Sequence, residues 1–257
     1  MTAAELKRHF DLDVSKSTIC RALKATGLIS AFETKKPFLN SEARTKRLKW
    51  AKEHEHWDVS RWRRVFFTDE SPFALRFQGR QRIWRFPNEK YHPECVKGII
   101  KHDGKINVWA GFSYNGVGAF HRVEGIMVKE QYLSIVDKVG LPSALALLGD
   151  GCIWLQDNDP KHTSNIVKEF FAEQRELGIC YLLDWPSWSP DLNPIENLWH
   201  HVDVIAKART CNNKEDLFRE LEKAWESISV DYLRKLVDSM PARIQAVIKA
   251  KGGNTKY

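Results

Sequence analysis

The chain has 257 residues, 43% of them hydrophobic and 28% charged, with a formal net charge of +7. Such a composition reads as soluble and globular; no apolar run reaches membrane-spanning length, and the N-terminus lacks a signal-peptide pattern. Five scattered cysteines (Cys20, Cys95, Cys152, Cys180, Cys211) with no C-x-x-C pair argue against a zinc site or a disulfide framework and favour a reduced intracellular compartment.

The first predicted helix covers Ala3–Phe10 and is broken by Asp11-Leu12-Asp13. Ser15 caps a second that runs to about Thr26 and stops at Gly27. Ile19, Ala22 and Leu23 form its apolar face, which leaves Lys16, Ser17, Thr18, Arg21 and Lys24 outward. Two short helices, the second basic outside, resemble part of a helix-turn-helix unit over residues 1–30, whose second helix would lie in the major groove of double-stranded DNA. An ordinary helical hairpin is the alternative.

Residues 31–60 read as a linker containing Lys35-Lys36-Pro37, then a basic helix from Ser41 to about His54 with Arg44, Lys46, Arg47, Lys49 and Lys52. Residues 14–52 hold ten lysines and arginines against two acids, Glu33 and Glu42, so the excess charge is localised. A localised basic segment suggests a polyanionic partner. Lys35, Lys36, Arg44, Lys46 and Arg47 are candidate phosphate contacts, and the stretch could also serve as a nuclear localisation signal or be a solvated helix face.

Beyond Trp62 the pattern changes to strands. Arg64–Thr68 is apolar and Arg80–Phe86 alternates; Ile106–Ser113 and Val117–Val123 flank Asn115-Gly116, a hairpin signal. A helix at about Lys129–Val139, a strand at Cys152–Gln156, an amphipathic helix at Thr163–Leu177 and a strand at Ile179–Asp184 follow. Helices at Pro194–Lys207, Lys214–Ser227 and Asp231–Lys249 complete the chain. Hairpin strands followed by strand, helix, strand and helices predict an α/β domain over residues 61–257, a mixed sheet flanked by helices in RNase H-like order.

Three runs carry the chemistry. Val65-Phe66-Phe67-Thr68-Asp69 and Cys152–Gln156 followed by Asp157 each place an acid after a buried strand, at the edge where α/β sheets bind ligands. Asp69 could instead cap a turn, and Glu70, on the opposite face, is the fallback. Asp159 competes with Asp157, although Pro160 ends the strand there. Lys161 and His162 could contact a phosphate or lie at the surface. Glu196 falls in the first turn of a helix with Asn193 as N-cap and Pro194 at N1, so capping competes with a role in a cleft; Asp184 and Asp191 are lesser candidates. Three such acids suit two hard divalent cations about 3.5–4 Å apart, with Mg²⁺ favoured over zinc.

Thr68-Asp69-Glu70-Ser71, Gln156-Asp157-Asn158-Asp159-Pro160-Lys161-His162-Thr163-Ser164 and the run from Asp184 to Trp199 resemble the catalytic motifs of mariner-superfamily transposases, closest to the branch with a D, D, E triad. Val108–Ser113 and the tail from Ile248 to Tyr257 are also similar. The resemblance implies cleavage at transposon ends and strand transfer into target DNA, dependent on Mg²⁺ with Mn²⁺ as a substitute. It implies Asp69, Asp157 and Glu196 as catalytic, metal-binding acids, a homodimer that synapses two ends, and action in the nucleus. The interval between Asp157 and Glu196 is longer than this branch commonly has, with the extra length expected in Gln174–Gly178. The resemblance also implies that the chain begins inside the second of two helix-turn-helix units. The competing expectation is a truncated or host-recruited DNA-binding protein without catalysis.

Overall fold

The computed structural model describes residues 3–29, 36–75, 104–207, 211 and 213–257. They form two compact units, Met1–Pro37 and Phe38–Tyr257. The expected strand at 80–86 lies outside the described residues.

In the first unit, α1 (Ala3–His9) and α2 (Lys16–Ala25) match the predicted pair. Ser15 caps α2 by accepting the Thr18 amide at 3.1 Å. Gly27 closes it at φ 85°, a left-handed conformation that glycine adopts without a Cβ penalty, and the Leu28 amide returns to the Leu23 carbonyl. The buried face of α2 is narrower than the pattern suggests: Ile19 is buried, Leu23 half-buried and Ala22 exposed.

The second unit opens with α3 (Ser41–Glu53) and the single turn α4 (Val59–Trp62), capped by Asn40 and Asp58. Its sheet contains β1 (Val65–Ala74), β2 (Lys105–Ser113), β3 (Gly116–Val123), β4 (Cys152–Leu155) and β5 (Cys180–Leu182), in the order β3-β2-β1-β4-β5. β1 is antiparallel to β2 and parallel to β4, and β4 is parallel to β5, which is the expected RNase H-like arrangement. Between β3 and β4 lie α5 (Lys129–Ile135), a π-helical turn (Val136–Gly140) and α6 (Leu141–Leu148). Helix α7 (Asn165–Glu176) joins β4 to β5. Helices α8 (Ile195–Lys207), α9 (Lys214–Glu226), α10 (Val230–Asp238) and α11 (Met240–Lys249) follow.

Apolar side chains cover both faces of the sheet. Val65, Phe67 and Leu155 pack with Ile195, Leu198 and Trp225 on one face; Phe66 and Trp154 pack with Tyr132, Val136 and Val167 on the other. Gly140 lies where a Cβ would come within 2.6 Å of the Trp154 ring, so a side chain there would collide with the second cluster.

Three elements depart from the sequence pattern. β1 runs past the predicted end at Thr68 because β2 pairs with it as far as Ala74, whereas pairing with β4 stops at Phe67. Pro72 sits within this extension. Helix α6 has no counterpart in the predicted elements: its run LPSALALL, apolar but for Ser143, has no polar stripe to mark a helical period, and only Pro142 in the first turn signals it. The expected helix Asp231–Lys249 is broken at Ser239, with Pro241 in the first turn of α11, where its missing amide hydrogen is no loss.

Candidate active site

Strand alternation sends Asp69 and Glu70 to opposite faces. Asp69 shares the parity of Val65 and Phe67, toward α8, while Glu70 shares that of Phe66, toward α5 and α7. β4 stops pairing with β1 two residues before Asp69, so the sheet opens at this carboxylate. Asp157 follows the end of β4 on the neighbouring strand. The Thr68 hydroxyl donates to the Leu155 carbonyl at 2.6 Å and ties the two strand ends together.

Glu196 is brought in by the turn before α8. Asn193 is buried; its side-chain amide donates to the Thr68 carbonyl at 3.2 Å, and its Oδ1 accepts the Ile195 amide. One side chain thus joins the β1 end to the α8 N-terminus. Among the described residues Glu196 makes no capping bond to the Asn193 amide. The capping box is therefore absent and the carboxylate is left at the cleft.

These groups are electrostatically coupled. Burial, then repulsion from Glu196, Glu70 and Asp157, holds the Asp69 carboxyl well above the usual carboxylate range. Burial also raises Glu196, although the residue as a whole is exposed. Asp157 behaves oppositely: burial pushes it up, but the His162 hydrogen bond, the Asp159 amide and the charges of His162 and Lys161 outweigh this and lower it.

His162 is the central cation of the cluster. Its Nδ1 lies 2.6 Å from Asp157 Oδ1 and its Nε2 3.0 Å from Glu70 Oε1. With a carboxylate oxygen at each ring nitrogen, both nitrogens serve as N–H donors, which makes the ring an imidazolium. Burial works against that charge, but the two carboxylates prevail and raise the pKa from 6.5 to about 9. The ring lies 3.9 Å from that of Tyr132, whose hydroxyl donates to Gln156 Oε1; the Gln156 amide in turn donates to the His162 carbonyl. Glu70, expected to face away, thus reaches the site through His162. Lys161 pairs with Asp159 at 2.8 Å and lies 3.6 Å from Glu70, so Asp159 is committed to a lysine.

A groove of about 410 Å³ borders Glu196 between β1 and α8, lined by Ser71, Pro72, Phe73, Trp199 and His200. A smaller cleft of about 170 Å³ borders Asp157, with His162, Lys168 and Trp185 in its wall. Among the described residues no three His, Cys, Asp or Glu side chains already enclose a position for a metal ion. The donor set nevertheless fits a hard cation: oxygen ligands only, with mutual repulsion that positive charge would relieve.

The candidate DNA contacts divide. Lys16, Ser17, Thr18, Arg21 and Lys24 are exposed on α2, as are Lys36 and Arg44, whereas Lys35 lies outside the described residues. Lys46 is exposed and paired with Glu42 at 2.7 Å. Arg47 is a correction. It is fully buried, with Nη1 and Nη2 on the two carboxylate oxygens of Asp191 at 2.9 and 2.8 Å and further bonds to Ser189 and the carbonyls of Trp188 and Gly252. A guanidinium so enclosed cannot reach a phosphate backbone, and Asp191 is likewise unavailable to a metal. Thr255 also donates to Asp191, and Arg243 of α11 bonds the Asp191 carbonyl and Asn197. Trp50 of α3 donates to the Asp184 carbonyl and packs edge-on against Trp185. Helix α3 thus holds the loop that leads to Glu196, a role its basic composition concealed.

Two family models match the chain: one described as DDE superfamily endonuclease covers residues 64–218, and one described as Transposase covers residues 1–56. The Tc1 transposase of Caenorhabditis elegans is 39% identical over 245 residues, 95% of this chain and 88% of that protein. The Tcb2 transposase of Caenorhabditis briggsae is 37% identical over 98% of this chain and 92% of its own length. Among solved structures, the Mos1 transposase paired-end complex with left transposon end superposes with a TM-score of 0.75 at 17% identity, over 100% of this chain and 76% of that one. The mariner Mos1 paired end complex with Mg gives a TM-score of 0.75 at 16% identity with the same coverage.

Proposed function

Because this chain belongs to the Tc1/mariner family of transposases, we propose that Asp69, Asp157 and Glu196 are the carboxylates with which it cleaves transposon ends and joins them to target DNA. The observation that supports this assignment is geometric: Asp69 lies just past the end of the β1–β4 pairing, the Thr68 hydroxyl ties that end to Leu155 two residues before Asp157, and Asn193 ties it to the turn that carries Glu196. The acids come from three separated chain segments that the fold brings to the open end of the sheet.

Both reactions are in-line displacements at phosphorus. Cleavage breaks a P–O bond by attack of water, and strand transfer breaks a target P–O bond by attack of a DNA 3′-hydroxyl. Divalent cations, Mg²⁺ with Mn²⁺ as a substitute, would supply Lewis-acid stabilisation of the charge that develops on the phosphate. Asp69, Asp157 and Glu196 would hold them. His162 keeps Asp157 and Glu70 in place, and Asn193 sets Glu196 relative to β1. Exposed Lys16, Arg21 and Lys24, with Ser17 and Thr18, would meet DNA from α2, and Lys36, Arg44 and Lys46 would add phosphate contacts. Holding two ends for joining supports a homodimer, and the basic segment supports action in the nucleus.

The test is nicking of a supercoiled plasmid by purified protein with Mg²⁺, Mn²⁺ or EDTA, comparing wild type with Asp157→Asn. Nicking that needs the cation and is lost in the variant is expected; DNA binding without nicking would instead favour a non-catalytic binding protein. Light scattering on the DNA complex reads the dimer, and a fluorescent fusion reads the compartment.

A further inference from the structure

Nine of the ten tryptophans have described positions, and eight of these are 9% exposed or less; Trp188 alone is 64% exposed. It lies in the loop between β5 and α8, among residues that are otherwise anchored. Trp185 and Ser189 are buried, and Asn158, next to Asp157, donates to the Trp185 carbonyl at 2.6 Å and to the Ser187 hydroxyl at 3.1 Å. Trp188 thus follows directly on a residue bonded to the neighbour of Asp157.

Its backbone is also unusual. Trp188 has φ 58°, left-handed space that a bulky side chain enters at a cost. The surrounding bonds impose this conformation: buried Arg47 holds the Trp188 carbonyl at 2.9 Å and the Ser189 hydroxyl at 2.7 Å. Strain maintained by a buried network, and used to present a large apolar ring to solvent in a loop bonded to the neighbour of Asp157, is characteristic of ligand contacts. A core role is excluded by the exposure of the ring.

We propose that the Trp188 indole stacks on a nucleobase of the DNA strand whose phosphate reaches the carboxylate cluster. This rests on the reading of Asp69, Asp157 and Glu196 as the phosphoryl-transfer site. A ring can stack only on a base face not already covered by a neighbouring base, so the occupant is a terminal or extruded base rather than one inside a continuous duplex. Stacking tolerates any sequence, because every base presents a π face. Trp188 would hold the strand end while the acids act on its phosphate.

The experiment uses a nicked duplex with 2-aminopurine as the 3′-terminal base at the nick, bound by the full chain in Ca²⁺, alongside plasmid nicking in Mg²⁺ or Mn²⁺. Variants are Trp188→Phe, Trp188→Ala and Trp188→Gly. Wild type and Trp188→Phe should quench the probe, and Trp188→Ala and Trp188→Gly should not, with nicking reduced about tenfold in both. Trp188→Gly separates this role from a structural one, because glycine suits φ 58° and should melt no lower than wild type while still losing quenching. Equal quenching and nicking in wild type and Trp188→Gly overturn the stacking role and leave the carboxylate assignment intact. A wild-type protein that neither quenches the probe nor nicks with either cation overturns both.

Discussion

Arg47 and Asp191, 144 positions apart, form a bidentate ion pair in which the arginine side chain is wholly buried and the aspartate almost so. The pair fastens α3 to the loop before α8, and Thr255 of the C-terminal tail completes the aspartate's partners. Removing one partner of such a pair leaves an uncompensated buried charge. Arg47→Ala should therefore lower unfolding free energy by about 3–5 kcal/mol, read from urea denaturation. Lys46→Ala, at an exposed pair, should cost under about 1 kcal/mol. If Arg47 contacted DNA instead, its loss would weaken binding with little change in stability.

Asp69→Asn, Asp157→Asn and Glu196→Gln should each reduce metal-dependent nicking by about a thousandfold or more, because the proposed role of these acids in holding the cations carries several kcal/mol of charge stabilisation. Asp159→Asn, which breaks only a partly exposed lysine pair, should retain most activity. Single-turnover nicking rates in Mn²⁺ check this, with circular dichroism to confirm folding. A fully active Glu196→Gln would move the third ligand elsewhere.

His162 makes the stability of the metal-free protein depend on pH. Its imidazole is raised from 6.5 to about 9 by Asp157 and Glu70 against the opposing effect of burial. The folded state thus binds the proton more tightly than the unfolded chain. That contribution, on the order of 3 kcal/mol, is fully present below pH 6.5 and disappears as pH rises through about 9. Denaturation in EDTA at pH 6.5, 8 and 9.5 should show the decline, and His162→Gln should flatten it.

The exposed cations of α2 should act through counterion release. Replacing Lys16, Arg21 and Lys24 together with alanine should weaken DNA binding and reduce the slope of log affinity against log salt by up to about 2.7, or about 0.9 for each phosphate no longer neutralised. Gel shifts at several salt concentrations measure it. An unchanged slope would mean that α2 does not meet the backbone.

Much of the site is legible in the sequence because its acids sit at local landmarks. Asp69 and Asp157 end apolar strand runs, and Glu196 opens a helix behind Asn193 and Pro194, so period and punctuation locate all three. The hairpin at Asn115-Gly116 is equally plain, since that dipeptide supplies the turn that strands of right-handed twist require. Helix α6 is not, because a run apolar but for Ser143 has no polar stripe to mark a period. The break at Ser239 is signalled only by Pro241, inside a run whose apolar period (Leu233, Leu236, Val237, Met240, Ile244, Val247) continues across it.

By itself the sequence determined the family and most of the order of elements, and it singled out three acids as candidates, all from residues near one another in the chain. Only the tertiary structure decided which charges meet. Arg47 left the DNA-facing set because Asp191 takes it into the interior, and Glu70 entered the site because His162 reaches across from the segment after β4. Coulomb energy depends on distance and dielectric rather than chain separation, so lysines and arginines alike in composition end as a surface contact or a buried clasp according to the fold. The same holds for Trp188, whose exposure and imposed backbone conformation follow from a bond to a residue 141 positions away.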